Sequence, residues 1–178
     1  MPAPASSAAM ARPMRHAALE IAEDGLFAGV LGGLVVAVFF LVVDTINGRP
    51  LFTPSLLGSV LFQGARPESV TQVDIPMMFA YTGVHMLAFL AAGMAAAFLV
   101  AQVERHPNVA WVMLILFVCF EVGFFALAWA LMPGTIGVLG AWLVGIANLL
   151  SAGAMAFYLL WYSHPGALRN LEHVWDDV

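Results

Sequence analysis

The sequence predicts an all-α integral membrane protein: a four-helix, up-down-up-down transmembrane bundle with a short interfacial helix in its first connection and an amphipathic C-terminal helix. Three observations carry that expectation. The chain is 62% hydrophobic and only 10% charged, against roughly 45–50% and 25% in soluble domains. Four apolar stretches, about 24–46, 77–103, 109–132 and 138–163, each reach the roughly 20 residues that a helix needs to cross the hydrocarbon core. Aromatic side chains sit at their ends, as interfacial belts do: Trp111 and Trp129 bracket the third stretch about 27 Å apart at helical rise, and Tyr158, Trp161 and Tyr162 close the fourth.

Residues 1–22 form a small and polar tail that becomes helix-compatible after Pro13. The apolar run behind it is too long for a signal-peptide core and no small-residue cleavage site follows, so the tail is expected to be retained, its first dozen residues mobile. The transmembrane domain then occupies 23–163. In the first span Gly25, Gly29, Gly33 and Ala37 recur every fourth residue, a stripe that lets another helix come close. The stripe leaves open whether that helix belongs to this chain. Asp44, near the far end of the span, reads as a solvated interfacial carboxylate.

The external connection, 47–76, is too long for a simple turn. Thr53-Pro54 looks like an N-cap with proline at the first helical position, and Gly64 like a stop. Between them Leu56, Leu57, Val60 and Leu61 fall on one helical face, opposite Ser55, Ser59 and Gln63. That pattern predicts a helix lying on the membrane with its apolar side down, or offered to a partner. A polar loop, 64–74, follows.

The second span aligns His85 with Ala88, Ala92 and Ala96 on a face expected to point inward, and the short link 104–108 makes the second and third spans antiparallel neighbours. The third span contains Glu121, flanked by Phe117, Phe124 and Phe125. Either this bulky face fills the bundle centre, or Glu121 looks outward at a partner. The fourth span places Gly137, Ala141, Gly145, Asn148 and Ala152 on one stripe. Beyond His164-Pro165 the tail, 164–178, sets Leu171 and Trp175 on the apolar side of a second surface helix, another candidate for partner docking.

His85, Glu121 and Asn148 fall at similar depth, about 12–16 Å from the outer ends of their spans. An unpaired polar group in hydrocarbon costs several kcal/mol, so the sequence predicts a His85–Glu121 interaction with Asn148 beside it. The cluster reads either as a static clamp or as a proton-responsive pair.

Several chemistries are disfavoured. The single cysteine, Cys119, rules out an internal disulfide and a thiolate metal site of the usual ligand count. No nucleophile with an attendant base, P-loop or dinucleotide-binding glycine pattern is present, and no metal site or enzymatic activity is expected. No cofactor is predicted; haem or chlorophyll ligation would have to fall on His85, or on the boundary histidines His106 and His164. A net charge of −5 with six arginines and no lysine offers nothing to nucleic acid. Arginine as the sole basic residue in an Ala- and Gly-rich chain suggests a GC-rich bacterial source, hence the bacterial cytoplasmic membrane. Arg12, Arg15, Arg105 and Arg169 outnumber Arg49 and Arg66 across the predicted topology, which favours both termini in the cytoplasm. The function expected is that of a non-catalytic accessory subunit of a larger membrane complex, plausibly a respiratory or photosynthetic one, with other membrane subunits and lipids as partners. The alternative is a small transporter or proton-coupled channel using Glu121 and His85.

Overall fold

The computed structural model describes residues 7–105, 118, 122, 125–126, 128–130 and 134–163. The elements run α1 (Ser7–Ile46), α2 (Phe52–Gln63), a 3-10 turn (Pro67–Ser69), α3 (Ile75–Arg105), α4 (Thr135–Leu139), α5 (Ala141–Phe157) and a π-helical turn (Tyr158–Ser163). Three helical stretches, Ala18–Ile46, Ile75–Val103 and Ala141–Ser163, are long and apolar enough to cross a membrane. The protein is therefore an all-α, multi-pass membrane protein. Glu121 and the greater part of the expected third span, together with the tail that holds Leu171 and Trp175, lie outside the described residues.

The two flanking spans both pack on α1, which acts as the hub. Against α3, Gly25 faces Met94, Gly29 faces Phe89 and Leu90, and Gly33 faces Met86, an antiparallel register. The approach is backbone to backbone: a Cβ on Gly25 would sit 2.6 Å from the Met94 Cα, and one on Gly29 would sit 2.5 Å from the Phe89 carbonyl oxygen. The glycine stripe thus finds its partner within this chain. On α3 the crossing is centred on Gly93, where a Cβ would overlap the Gly25 carbonyl and the Gly29 backbone. Ala37, the next step of the stripe, is exposed. The tight contact ends at Gly33.

Against α5, the register is again antiparallel. Ala28, Met155 and Leu159 share a buried cluster with Ala97, Val100 and Val103 of α3, and Val36 and Phe40 share another with Val144 and Ala147. Gly32 supplies the notch, since a Cβ there would meet the Met155 Sδ at 2.5 Å and the Ser151 Oγ at 2.9 Å. The stripe expected on the fourth span is not part of this contact with α1. Ala141 is exposed, and among the described residues no atom comes within 4 Å of a Cβ placed on Gly137 or Gly145. Because α1 has already given up its side chain at Gly32, α5 can present Ser151 and Met155 instead of small residues of its own. Phe125 packs against the second cluster and Ala128 is buried, whereas Val118, Val122 and Trp129 are exposed.

The fourth span also differs at its start. Gly140 (φ 85°, ψ 110°) breaks the helix in a backbone conformation that only glycine adopts without strain, and leaves α4 as a single turn before α5 begins at Ala141.

The first connection departs most from expectation. Asp44 is 5% exposed, and its Oδ2 accepts the Thr53 N–H at 2.7 Å while its Oδ1 accepts the Thr53 hydroxyl at 2.7 Å. The carboxylate is therefore a buried remote cap for α2, not a solvated interfacial group. Helix α2 begins at Phe52, so Thr53 lies within its first turn and needs its donors satisfied from elsewhere. Gly64 (φ 64°) ends the helix as expected, its N–H bonded to the Val60 carbonyl as in an αL cap, while the Ala65 N–H reaches the Ser59 carbonyl. Leu56 is 0% exposed; Leu57 and Val60 are also buried and Leu61 half-buried. The face expected to meet a membrane or a partner is instead covered by this chain, with Phe52, Leu56 and Val60 packed against Val70 and Leu139. On the other side Gly58 crosses α3 with no room for a Cβ beside the Met77 carbonyl. Asp74 caps α3 through Met77 N–H at 3.1 Å, and its own N–H donates to Ser55 Oγ at 2.7 Å.

Two outcomes follow from this packing. Gly93→Ala destabilises the fold by about 1–3 kcal/mol, the range for overpacking a tight contact, whereas Gly83→Ala, with no described atom within 4 Å, gains up to about 1 kcal/mol of helix propensity; detergent-titrated unfolding followed by circular dichroism separates the two, and equal losses would sink the crossing assigned to Gly93. Asp44→Ala costs about 2 kcal/mol, because two buried donors lose a charged acceptor, and hydrogen exchange at the Thr53 amide rises; a Thr53 amide as protected as in the native chain would refute the remote cap.

Candidate functional site

The intramembrane polar groups converge on the middle of α1, at the doublet Gly32-Gly33. Gly32 is the midpoint of the Ala18–Ile46 span. Side-chain-free positions leave the carbonyls of a helix reachable from the side, and each carbonyl oxygen has a second lone pair beyond the one used in the helical ladder. Both are taken. Ser151 Oγ–H of α5 donates to the Gly32 carbonyl at 3.0 Å, and His85 Nε2–H of α3 donates to the Gly33 carbonyl at 3.2 Å. Since a carbonyl only accepts, the imidazole carries its proton on Nε2. His85 and Ser151 lie ten residues inside Ile75 and Ala141 respectively, about 15 Å at helical rise, so both bonds fall deep in the membrane.

The imidazole is held on its own helix as well. Tyr81, one turn before it, stacks at 5.9 Å between ring centroids, and Phe89, one turn after it, lies at 4.7 Å with a 51° tilt. The half-buried ring is therefore wedged between two aromatics while its Nε2 reaches across to α1. Ser151 is 2% exposed and also lies 3.9 Å from the Met155 Sδ. A third polar tie closes the other end of the same pair of helices: Tyr158 O–H donates to Asp24 Oδ1 at 3.3 Å.

Of the expected cluster, His85 is present at the predicted depth, but its described partner is a backbone carbonyl. Asn148 is half-buried one turn before Ser151, and Glu121 lies outside the described residues. The residues that sequence reasoning missed are Ser151 and Gly32. The signal was available: a Gly-Gly doublet at mid-span, with a hydroxyl one turn beyond Asn148. As to cofactors, the His85 nitrogen that reaches out from α3 is the one engaged by Gly33, so a metal there would displace that bond; His106 and His164 lie outside the described residues. Among the described residues no three His, Cys, Asp or Glu side chains come together to hold a metal ion. The arrangement offers, among the described residues, hydrogen bonds between helices. Comparison with protein-family models, with curated proteins and with solved structures finds no match for this chain.

If the two bonds join the helices, each can be removed without disturbing the packing around it. Ser151→Ala and His85→Phe, the latter keeping the aromatic wedge, each lower stability by about 0.6–2 kcal/mol, the range measured for interhelical hydrogen bonds in membranes. Steric-trap unfolding in bicelles reads the loss, and a native-like stability for the double variant would remove the link.

Proposed function

We propose that this multi-pass protein is a non-catalytic accessory subunit of a larger, energy-transducing membrane complex in the cytoplasmic membrane of a bacterium. The observation that carries the proposal is the use made of the deep imidazole. His85 is bonded to a main-chain carbonyl and wedged by two aromatics, an arrangement suited to holding α3 against α1 and ill suited to changing partners during transport. Ser151 and Tyr158 are likewise spent on α1. Beside them, the spans carry broad exposed apolar faces, including Leu34, Val38, Leu87, Phe98 and Leu149, that lipids or other subunits can cover.

The architecture proposed with this reading is the four-crossing, up-down-up-down bundle, with both termini on the cytoplasmic side. Support comes from where the described segments stop and resume. Helix α3 returns to the level at which α1 enters, since Val100 and Val103 join Ala28 and Leu159, whereas α4 resumes beside α2 at the opposite end through Leu139. The apolar stretch 109–132 has the length that a further crossing between those two levels would need.

On this proposal the protein, extracted in mild detergent, migrates on a native gel within a larger assembly and brings other membrane subunits with it. Purification solely as a monomer or symmetric homodimer, from membranes that express it at native level, would count decisively against a subunit role. The transporter alternative makes a separate demand: Glu121→Gln should assemble normally yet lose a pH-dependent flux in proteoliposomes. Unchanged flux in that variant would remove it.

A further inference from the structure

Helix α2 stands in a connection that the topology puts outside the three described spans, yet its contacts tie it to their depth. Three independent ties set that depth. Thr53, in its first turn, is bonded to Asp44, which lies two residues inside the end of α1 at Ile46. Gly58, at its centre, crosses α3 at Met77, two residues inside the start of that helix at Ile75. Leu139, which packs on Phe52, Leu56 and Val60, comes three residues before Trp142, whose indole is 68% exposed at the head of α5. An exposed tryptophan at the end of a span marks the lipid headgroup level. The aromatic group at the other end of the same helix, Trp161 and Tyr162, is also exposed and stands about 28 Å away at helical rise, so the two belts frame one bilayer.

Helix α2 is thus level with the last turn of α1, the first turn of α3 and the Trp142 belt. Its interior-facing leucines are used within the chain, and its exposed rim pairs the polar Gln63, bonded to Asp74, with the apolar Phe62. Phe62 is 49% exposed, and Ile46 and Ile75, the span ends on either side of it in sequence, are 79% and 48% exposed. Apolar exposure therefore continues from the lipid-facing sides of the spans onto the outer end of α2.

We infer that α2 is an interfacial helix sunk to the headgroup–acyl boundary of its leaflet, wedged between α1, α3 and α4, and that Phe62 is its contact with phospholipid. This reverses the orientation expected of a surface helix with its leucine face on the membrane. Here the leucines anchor α2 to the protein and a single aromatic at its end meets the lipid. The surrounding arginine fits the same level: the Arg49 guanidinium lies 4.1 Å over the Phe52 ring, an arrangement in which the stem stays in apolar surroundings while the charge remains at the polar layer. The inference stands on the depth of α2 alone and does not depend on the accessory-subunit reading.

The test uses the purified full chain in phosphatidylcholine vesicles, with Cys119→Ser as background and a nitroxide attached at Phe62→Cys, Ile75→Cys or Gln72→Cys. Collision rates with dissolved oxygen, which concentrates in the bilayer, and with a water-soluble nickel chelate are compared. The expected result is an oxygen-to-nickel ratio at position 62 that matches position 75 and is several-fold above that at Gln72, in the polar loop. A ratio at 62 equal to that at 72 means the helix stands in water and overturns the inference. Low collision rates with both reagents at 62 mean protein, such as a second copy of this chain, covers the site, and overturn it equally. On the unmodified chain, a phospholipid bearing a carbene precursor near its glycerol should label the peptide that holds Phe62; no adduct there, with adducts on Ile75, would also overturn it. Since no partner subunit is present in the vesicles, failure here is distinct from failure of the native-gel experiment.

Discussion

The closeness of α1 and α3 depends on missing side chains. In lipid the hydrophobic effect gives helices no reason to leave the hydrocarbon for one another, so association rests on dispersion contacts and on hydrogen bonds that need close approach. Gly25 and Gly29 on α1 and Gly93 on α3 bring two backbones into contact, and Gly32 and Gly33 turn the same closeness to chemical use by exposing two adjacent carbonyls. His85 and Ser151 could not reach those oxygens if either position carried a bulky residue. The polar ties and the steric fit are therefore one device, and α1 is its centre.

The end of the bundle that holds α2 is organised by a different economy of donors. A short helix buried against protein has orphan amides in its first turn, and α2 satisfies one of them with a carboxylate from another helix. Asp44 supplies both oxygens to Thr53, while Asp74 N–H uses the Ser55 hydroxyl. The two acids thereby fasten α2 to the end of α1 and the start of α3. With that fastening in place the leucine face of α2 turns inward, and what it leaves for the surroundings is its rim. A structural role for the midplane polar groups and a level position for α2 are consistent with a protein that presents fixed apolar surfaces to its neighbours.

Much of this was legible in the residues. Composition and the lengths of the apolar stretches imply a multi-pass helical protein, because hydrocarbon admits only backbones that satisfy themselves internally, and a helix does so within one segment. The four-residue recurrence of Gly25, Gly29 and Gly33 marks a packing face for the same local reason: residues four apart lie one above another on a helix. The depth of His85 follows from counting residues, since helical rise is constant. The Gly64 stop is similarly local, for only a residue tolerant of positive φ ends a helix in that way.

What local pattern could not supply was pairing across the chain. Periodicity gives the face on which a side chain lies but not which helix stands opposite, so nothing in the residues paired the two faces that met: Ser151 and Met155 entered the notch at Gly32, and Val144 and Ala147 packed on Val36 and Phe40. Asp44 has no sequence neighbour to reveal its burial; its partner is nine residues on, across a turn. The leucines of α2 are amphipathic by pattern, yet a pattern is silent on whether membrane, partner or the protein itself covers them. Helical geometry is a property of neighbours along the chain, and it was readable from the residues alone. The choice of partner belongs to side chains that meet only after the spans have come together, and it was settled by their fit.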